Sequence, residues 1–173
     1  LALSGKVLIV RSKTGSGKTI AFLIPILMRM KADKIPQAVI LTPTRELAQQ
    51  IFKDLKKLDF NSKAVVLYGG VSLLPQEEQI RNGAQIIIAT PGRILDHLSR
   101  NTLSLKTVKF AVLDEADRML DMGFIEDVSK IIGQTPKERQ TMLFSATMPE
   151  QIIRLSQRYM NNPEQLILSK DEI

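Results

Sequence analysis

The stretch VLIVRSKTGSGKTIAF, Val7 to Phe22, decides how this chain is read. An uncharged, β-branched run suited to a buried strand gives way to a turn of glycine, serine, lysine and threonine. A helical pattern follows. Strand, glycine-rich loop and helix, in that order, are the context in which G-x-x-x-x-G-K-[ST] binds phosphate. Gly17, Lys18 and Thr19 match the pattern, whereas Ser12 stands where its first glycine belongs. Thr14 and Ser16 complete the T-G-S-G-K-T core, and Gly15 and Gly17 let the backbone curl so that its N–H groups face an anion. Lys18 is placed to reach the β- and γ-phosphates, and Thr19 to offer a hydroxyl to Mg²⁺. A helix from Thr19 to about Met30 aims its positive end at the same point. A chance glycine-rich turn is the competing reading, and the strand before and helix after argue against it.

Working outward, the same alternation recurs. Apolar runs at Val7–Val10, Ala38–Leu41, Ala64–Leu67, Ile86–Ala89, Phe110–Leu113, Thr141–Phe144 and Gln165–Leu168 carry almost no charge. Such runs suit strands covered on both faces. Between most of them lie helical patterns. Arg45–Leu58 puts Leu47, Ile51, Leu55 and Leu58 on one face, and Pro149–Met160 starts with a first-turn proline. The expectation is an α/β protein: an open, mostly parallel sheet with right-handed crossovers and helices on both faces. Ligands in such sheets collect beyond the carboxyl ends of the strands, so the residues just after each apolar run become the candidates.

After FAVL come Asp114 and Glu115. An Asp at a strand end can hold the shell of a Mg²⁺ ion, and an adjacent Glu can orient or deprotonate a water. Capping of the helix that follows is the alternative role for both acids. No N-K-x-D guanine-reading tetrapeptide occurs, which speaks against a GTPase. Two further strands end alike, in ILTPTR (Ile40–Arg45) and IATPGR (Ile88–Arg93). Thr42 and Thr90 are expected as N-caps, with Pro43 and Pro91 in the first turns. Thr44 and Gly92 then stand before Arg45 and Arg93, so that each helix start offers free N–H groups and a cation to phosphate. Ordinary capping explains either motif alone; the repetition favours a polymeric phosphate ligand. Gly69 and Gly70 follow a third strand and allow a backbone to approach closely. Only 5% of residues are aromatic and Trp is absent, so backbone contact is expected rather than base stacking. In MLFSATMPE, Ser145 and Thr147 can reach Asp117 or Glu115, or can cap a helix.

Composition sets the outer bounds. The 173 residues suit one domain, and 44% hydrophobic with 24% charged residues is globular usage. The net charge of +6 is compatible with nucleic acid and equally with mere solubility. With no Cys and a single His, neither a disulfide framework nor a zinc site is expected, and His97 reads as a surface or nucleic-acid-adjacent residue. No apolar run approaches membrane-spanning length, and no signal peptide is visible at Leu1. The start at Leu1 reads as the interior of a longer polypeptide.

In their order, SKTGSGKT (12–19), PTRELAQQ (43–50), GG (69–70), TPGR (90–93), VLDEADRMLDMGF (112–124) and SAT (145–147) resemble the first RecA-like domain of a DEAD-box RNA helicase. The resemblance covers nearly the whole chain. It implies ATP and Mg²⁺ as cofactors and RNA as substrate, bound mainly through its sugar-phosphate backbone. It assigns the triphosphate to Thr14, Gly15, Ser16, Gly17, Lys18 and Thr19, the metal to Thr19 and Asp114, and catalysis to Glu115, Asp114 and Lys18. It assigns RNA contact to Pro43, Thr44, Arg45, Gly69, Gly70, Thr90, Pro91, Gly92 and Arg93. Asp117, Ser145, Ala146 and Thr147 become the link between hydrolysis and strand separation. The family often carries Ala where Ser12 stands. Its adenine-reading segment lies upstream of Leu1, and its second RecA-like domain is a further expected partner. Residues 1–168 thus read as the ATP-binding domain and 169–173 as the start of a linker, in a cytoplasmic or nuclear protein with no membrane partner. A non-catalytic RecA-like module that binds RNA or protein, and a DNA helicase or other P-loop motor, are the competing readings.

Overall fold

The computed structural model describes residues 1–12, 17–58, 61 and 63–168. Strands β1 (Leu8–Arg11), β2 (Ala38–Leu41), β3 (Ala64–Leu67), β4 (Ile86–Ala89), β5 (Phe110–Leu113), β6 (Gln140–Ser145) and β7 (Glu164–Ile167) alternate with helices. These are α1 (Lys18–Arg29), α2 (Arg45–Lys57), α3 (Leu74–Arg81), α4 (Pro91–Ser99), α5 (Ala116–Asp121), α6 (Ile125–Ile132) and α7 (Glu150–Tyr159). The sheet order is β3-β4-β2-β5-β6-β1-β7, and the pairings are parallel throughout. The sequence led us to expect a mostly parallel sheet; all seven strands run the same way.

Successive side chains of a strand face opposite sides, and here the alternation sorts the apolar residues into two cores. Leu8, Val10, Ile40, Ile88, Val112 and Phe144 pack with Phe22, Leu23 and Ile26 of α1 and Ala48, Ile51 and Leu55 of α2. On the other face Ile9, Leu41, Ile87, Leu113 and Leu143 pack with Ile94 of α4, Met119 of α5, Val128 and Ile131 of α6 and Ile152 of α7. Each fully buried aliphatic side chain contributes about 1.5–3 kcal/mol, which explains why strands of four residues suffice. The face of α2 is rotated slightly from expectation: Ala48, Ile51 and Leu55 are buried, while Leu47 and Leu58 sit half-buried on its flank. Helix α7 starts at Glu150 with Pro149 as its N-cap rather than inside the first turn.

The strand order matters most for function. Beyond β1, β6 and β5, which are neighbours, lie the loops carrying Lys18, Ser145 and Asp114. Beyond β2, β4 and β3, also neighbours, lie Arg45, Thr90 and Gly69-Gly70. Five strand spacings separate β1 from β3, about 24 Å at ~4.8 Å each. The carboxyl edge is therefore divided into two halves that meet between β5 and β2.

Candidate functional site

In the first half, Ser12 follows β1, is buried, and donates its N–H to Ser145 O at 3.1 Å, prolonging the β1–β6 ladder. The expected phosphate contacts of Thr14, Gly15 and Ser16 fall outside the described residues. Gly17, at φ 77°, is the N-cap of α1, in a left-handed conformation that favours glycine. Lys18 and Thr19 occupy the first turn, where helix N–H groups lack intrahelical partners. Asp114 reaches toward the same place from the end of β5. It is only 6% exposed, and among the described residues its Oδ1 has no hydrogen-bond partner. Burial pushes its carboxyl up to about 6; the nearby Lys18 ammonium opposes the rise and Glu115 adds to it. A buried carboxylate oxygen without a partner is costly, and a cation arriving beside Lys18 would meet that oxygen. Among the described residues no three His, Asp or Glu gather into a metal cage. Such a cation would thus be held by few protein groups plus its own ligands, the habit of Mg²⁺.

Glu115 is the N-cap of α5 and sits at φ 51°, ψ 53°. A left-handed non-glycine residue costs of order 1–3 kcal/mol and persists where its surroundings over-determine it. The conformation turns the chain sharply between β5 and α5, and Arg118 Nη1 donates to Glu115 Oε2 at 3.3 Å. Two residues on, Asp117 joins α5 to the loop after β6. Its N–H donates to Ser145 Oγ at 3.1 Å, and its Oδ2 accepts from Thr147 N at 2.9 Å and Thr147 Oγ1 at 3.0 Å. Burial raises the Asp117 carboxyl, but these bonds and the Arg118 N–H outweigh it and hold the group below the ordinary carboxylate value. Of the two partners expected for Ser145 and Thr147, the structure selects Asp117. Ala146 lies exposed between them.

The second half departs from the expected symmetry. Thr90 is the N-cap of α4 and Pro91 its first residue, as the sequence suggests. In the other motif Thr44, not Thr42, is the N-cap of α2, accepting from Leu47 N at 3.3 Å, so Pro43 precedes the helix. A threonine two residues later offers a side-chain oxygen to the helix N–H groups, and the helix starts there instead. The two arginines consequently differ. Arg45 opens its helix, is exposed, and lies over the Tyr68 ring at 4.4 Å from the centroid. Arg93 is the third residue of its helix, is 7% exposed, and donates Nη2 to Val71 O at 2.7 Å. Among the described residues its Nε and Nη1 have no hydrogen-bond partner, and Nε is ion-paired to Asp96 Oδ2 at 3.8 Å. Gly69, Gly70 and Gly92 are exposed, and a Cβ placed on any of them would meet nothing within 4 Å. They form an open shelf that a polymer backbone could approach.

These features are those of a known family. The DEAD/DEAH box helicase model matches residues 1–155. The chain belongs to the DEAD/DEAH box helicase family. It is 50% identical over 170 residues to a Buchnera aphidicola protein named ATP-dependent RNA helicase DeaD, the match covering 96% of this chain and 28% of that protein. It is 46% identical over 177 residues to the ATP-dependent RNA helicase CshA of Listeria monocytogenes, covering 100% of this chain and 34% of the relative. A solved DEAD box protein from the hyperthermophile Methanococcus jannaschii superposes with a TM-score of 0.92 at 43% identity, over 96% of this chain and 47% of that one. The chain thus spans about a third of the curated relatives and half of the solved one. Its sheet is the RecA-like α/β arrangement anticipated from the motifs. Among the described residues no helix is long and apolar enough to cross a membrane.

The helicase motifs account for most of the site, but three residues escaped them. His97 is fully buried, not at the surface; it is held between Gln76 and Thr102 on the inner side of α4. Gln76 is buried on α3, and Tyr68 carries Arg45. A buried Gln in the polar run PQEEQ has no local sequence signal, and the Arg45–Tyr68 contact joins residues on different elements.

Proposed function

We propose that this chain is the ATP- and RNA-binding lobe of an ATP-dependent RNA helicase, which couples ATP hydrolysis to local unwinding or remodelling of RNA. Residues 1–168 form the lobe, and 169–173 lead toward a second RecA-like domain of the same parent chain, in a cytoplasmic protein, or a nuclear one where the source is eukaryotic. The names borne by the relatives support this reading. The observation that carries it is Asp114, a buried carboxylate with an unpartnered oxygen beside Lys18 and next to the strained Glu115.

Lys18 and the first turn of α1 bind the triphosphate tail. Thr19 and Asp114 are the residues that fit Mg²⁺, which when bound supplies charge neutralisation to the β- and γ-phosphates. Glu115 orients the attacking water and accepts its proton. The Asp117 clasp links the loop after β6 to α5, so a displacement at Glu115 is felt at Ser145 and Thr147. The RNA backbone crosses the β2, β4 and β3 ends, meeting Arg45, the glycine shelf and the N-terminus of α4. The second lobe completes both grooves, and the isolated lobe is expected to hydrolyse little.

The test uses the full-length protein. ATP hydrolysis is measured without nucleic acid, with single-stranded RNA and with DNA of the same sequence. RNA stimulates, DNA does not, and Glu115→Gln lowers the stimulated rate by about 10²–10⁴-fold, the ordinary worth of a general base. Hydrolysis indifferent to RNA, or unchanged in Glu115→Gln, refutes the enzyme reading.

A further inference from the structure

Two hydrogen-bonded arms reach from α4 to the glycine loop between Tyr68 and Val71. The first is Arg93 Nη2 on Val71 O, at 2.7 Å. The second runs through a buried relay. His97 Nε2 lies 3.1 Å from Gln76 Oε1, and Gln76 Nε2 donates to Tyr68 O at 3.2 Å. His97 is 0% exposed and Gln76 is buried, so the bond between them is shielded from water, while the one to Tyr68 O is part-buried.

The order of donors along the relay is fixed by its far end. Tyr68 O can only accept, so the amide NH₂ of Gln76 must face it. Oε1 of Gln76 then faces His97 and can only accept, so His97 must carry its hydrogen on Nε2. Thr102 Oγ1 lies 2.9 Å from Nδ1 and 3.1 Å from His97 O, and shares its one hydrogen between these two acceptors. Burial, with Arg93 nearby, pushes the imidazole below its ordinary value; Arg100 adds to this, while Glu77 and Asp96 oppose it. The relay needs only the hydrogen on Nε2, and the neutral ring can supply it.

The loop thus held has little else to define it. Gly69 and Gly70 are exposed, Gly70 has φ 81°, and a Cβ added to either would meet nothing within 4 Å. Its first residue, Tyr68, is also the platform for Arg45. Fixing Tyr68 O therefore fixes both the open shelf and the cation beside it.

We propose that His97 is a positioning residue for the RNA site: through Gln76 it locks the Tyr68–Val71 backbone, and with it the Arg45–Tyr68 pair, in the shape that receives an RNA backbone. The inference rests on the RNA-binding reading above. His97 touches no ligand itself. Its effect is on RNA affinity, not on chemistry at Glu115, which lies across the seam in the other half.

The two amide replacements of histidine separate the arms. In His97→Gln the amide nitrogen stands near the Nε2 position and can still donate to Gln76. In His97→Asn it stands near Nδ1, keeping Thr102 and losing Gln76. Full-length wild type, both variants and Gln76→Met are compared by RNA-stimulated ATP hydrolysis, by polarisation of fluorescein-labelled oligouridine and by thermal unfolding. Loss of one buried hydrogen bond corresponds to a change of about 5–10-fold. His97→Asn and Gln76→Met are expected to raise KM for RNA by that factor, with KM for ATP and kcat within twofold, while His97→Gln stays near wild type. In an Arg45→Ala background, His97→Asn should cost measurably less, because the two act on one unit. Unchanged RNA affinity in both His97→Asn and Gln76→Met overturns the proposal. So does a loss shared equally by ATP and RNA, since that marks general destabilisation. Wild type that fails to bind RNA removes the RNA reading itself, an outcome visible before any variant is made.

Discussion

Replacing Asp114 by Asn should make the nucleotide-free protein more stable while destroying its function. The wild-type carboxyl is buried, its Oδ1 is unpartnered, and its folded value is pushed from 3.8 up to about 6, chiefly by burial. At about 1.36 kcal/mol per pH unit, that rise corresponds to roughly 3 kcal/mol of destabilisation when the group is charged. An asparagine amide is neutral but still leaves a polar group short of partners, which returns about 1 kcal/mol or more. The expected net gain is about 1–2 kcal/mol at pH 8, or about 2–8 °C in Tm for a domain of this size. The sign with pH follows from linkage. The folded state holds its proton more tightly than the unfolded one, so the wild-type penalty is complete above about pH 6. It shrinks as pH falls through 6 and is gone below 3.8. The advantage of Asp114→Asn should shrink over the same interval. Thermal unfolding followed by circular dichroism in EDTA, at pH 8, 7, 6 and 5, reads both the gain and its decay. A variant less stable than wild type at pH 8, or a difference that does not narrow toward pH 5, refutes the claim that an unmet buried charge is maintained here. On the proposed reading, Mg²⁺ and ATP stabilise wild type, and the same variant should lose that stabilisation.

The remaining predictions concern the clasp and the polymer half. Asp117→Ala removes the acceptor of Thr147 N, Thr147 Oγ1 and Arg118 N, and should cost about 1–2 kcal/mol in urea unfolding at pH 7. Because the folded carboxyl value is depressed, that contribution is complete above the unfolded value near 3.8 and fades as pH falls through the lower folded one. The gap between the two proteins should therefore narrow at pH 3. Arg45→Ala should weaken RNA binding and reduce the magnitude of its salt slope by about 1, while Arg45→Lys should keep the slope and still lose affinity, because the guanidinium over Tyr68 is not replaced.

Most of the sheet was legible because parallel strands buried on both faces write themselves as uncharged β-branched runs. Ala38–Leu41, Ala64–Leu67, Ile86–Ala89 and Phe110–Leu113 fall where those runs lie. The clasp was legible too, since Ser145, Thr147 and Asp117 have short side chains at the ends of neighbouring strands. What failed was the analogy between TPTR and TPGR. The letters match, but a second threonine in the first motif shifts its helix start by two residues, and a helix turns 200° in that distance. One arginine is thereby sent to solvent and the other inward to Val71 O. His97 was misjudged for a related reason. A lone histidine carries no pattern, and its burial is decided by Gln76, which approaches from a different helix.

The seam between the halves explains how one edge can serve two ligands. Leu41 and Leu113 are register partners, and Asp114 N donates to Leu41 O at 2.9 Å, so Thr42 and Asp114 stand at adjacent strand ends. Each carries a buried side-chain oxygen with no hydrogen-bond partner. These two oxygens sit at neighbouring strand ends, one leading into Thr44 and Arg45 and the other into Glu115 and Asp117, so the cost of burying them is concentrated at the seam. On the proposed reading, a cation or water shell at Asp114 stands at the strand end next to that of Thr42. A nucleotide held at Asp114, on the same reading, lies one strand end away from Thr42, which leads into the start of α2. No long path through the core is needed, because β5, which carries Asp114, pairs directly with β2.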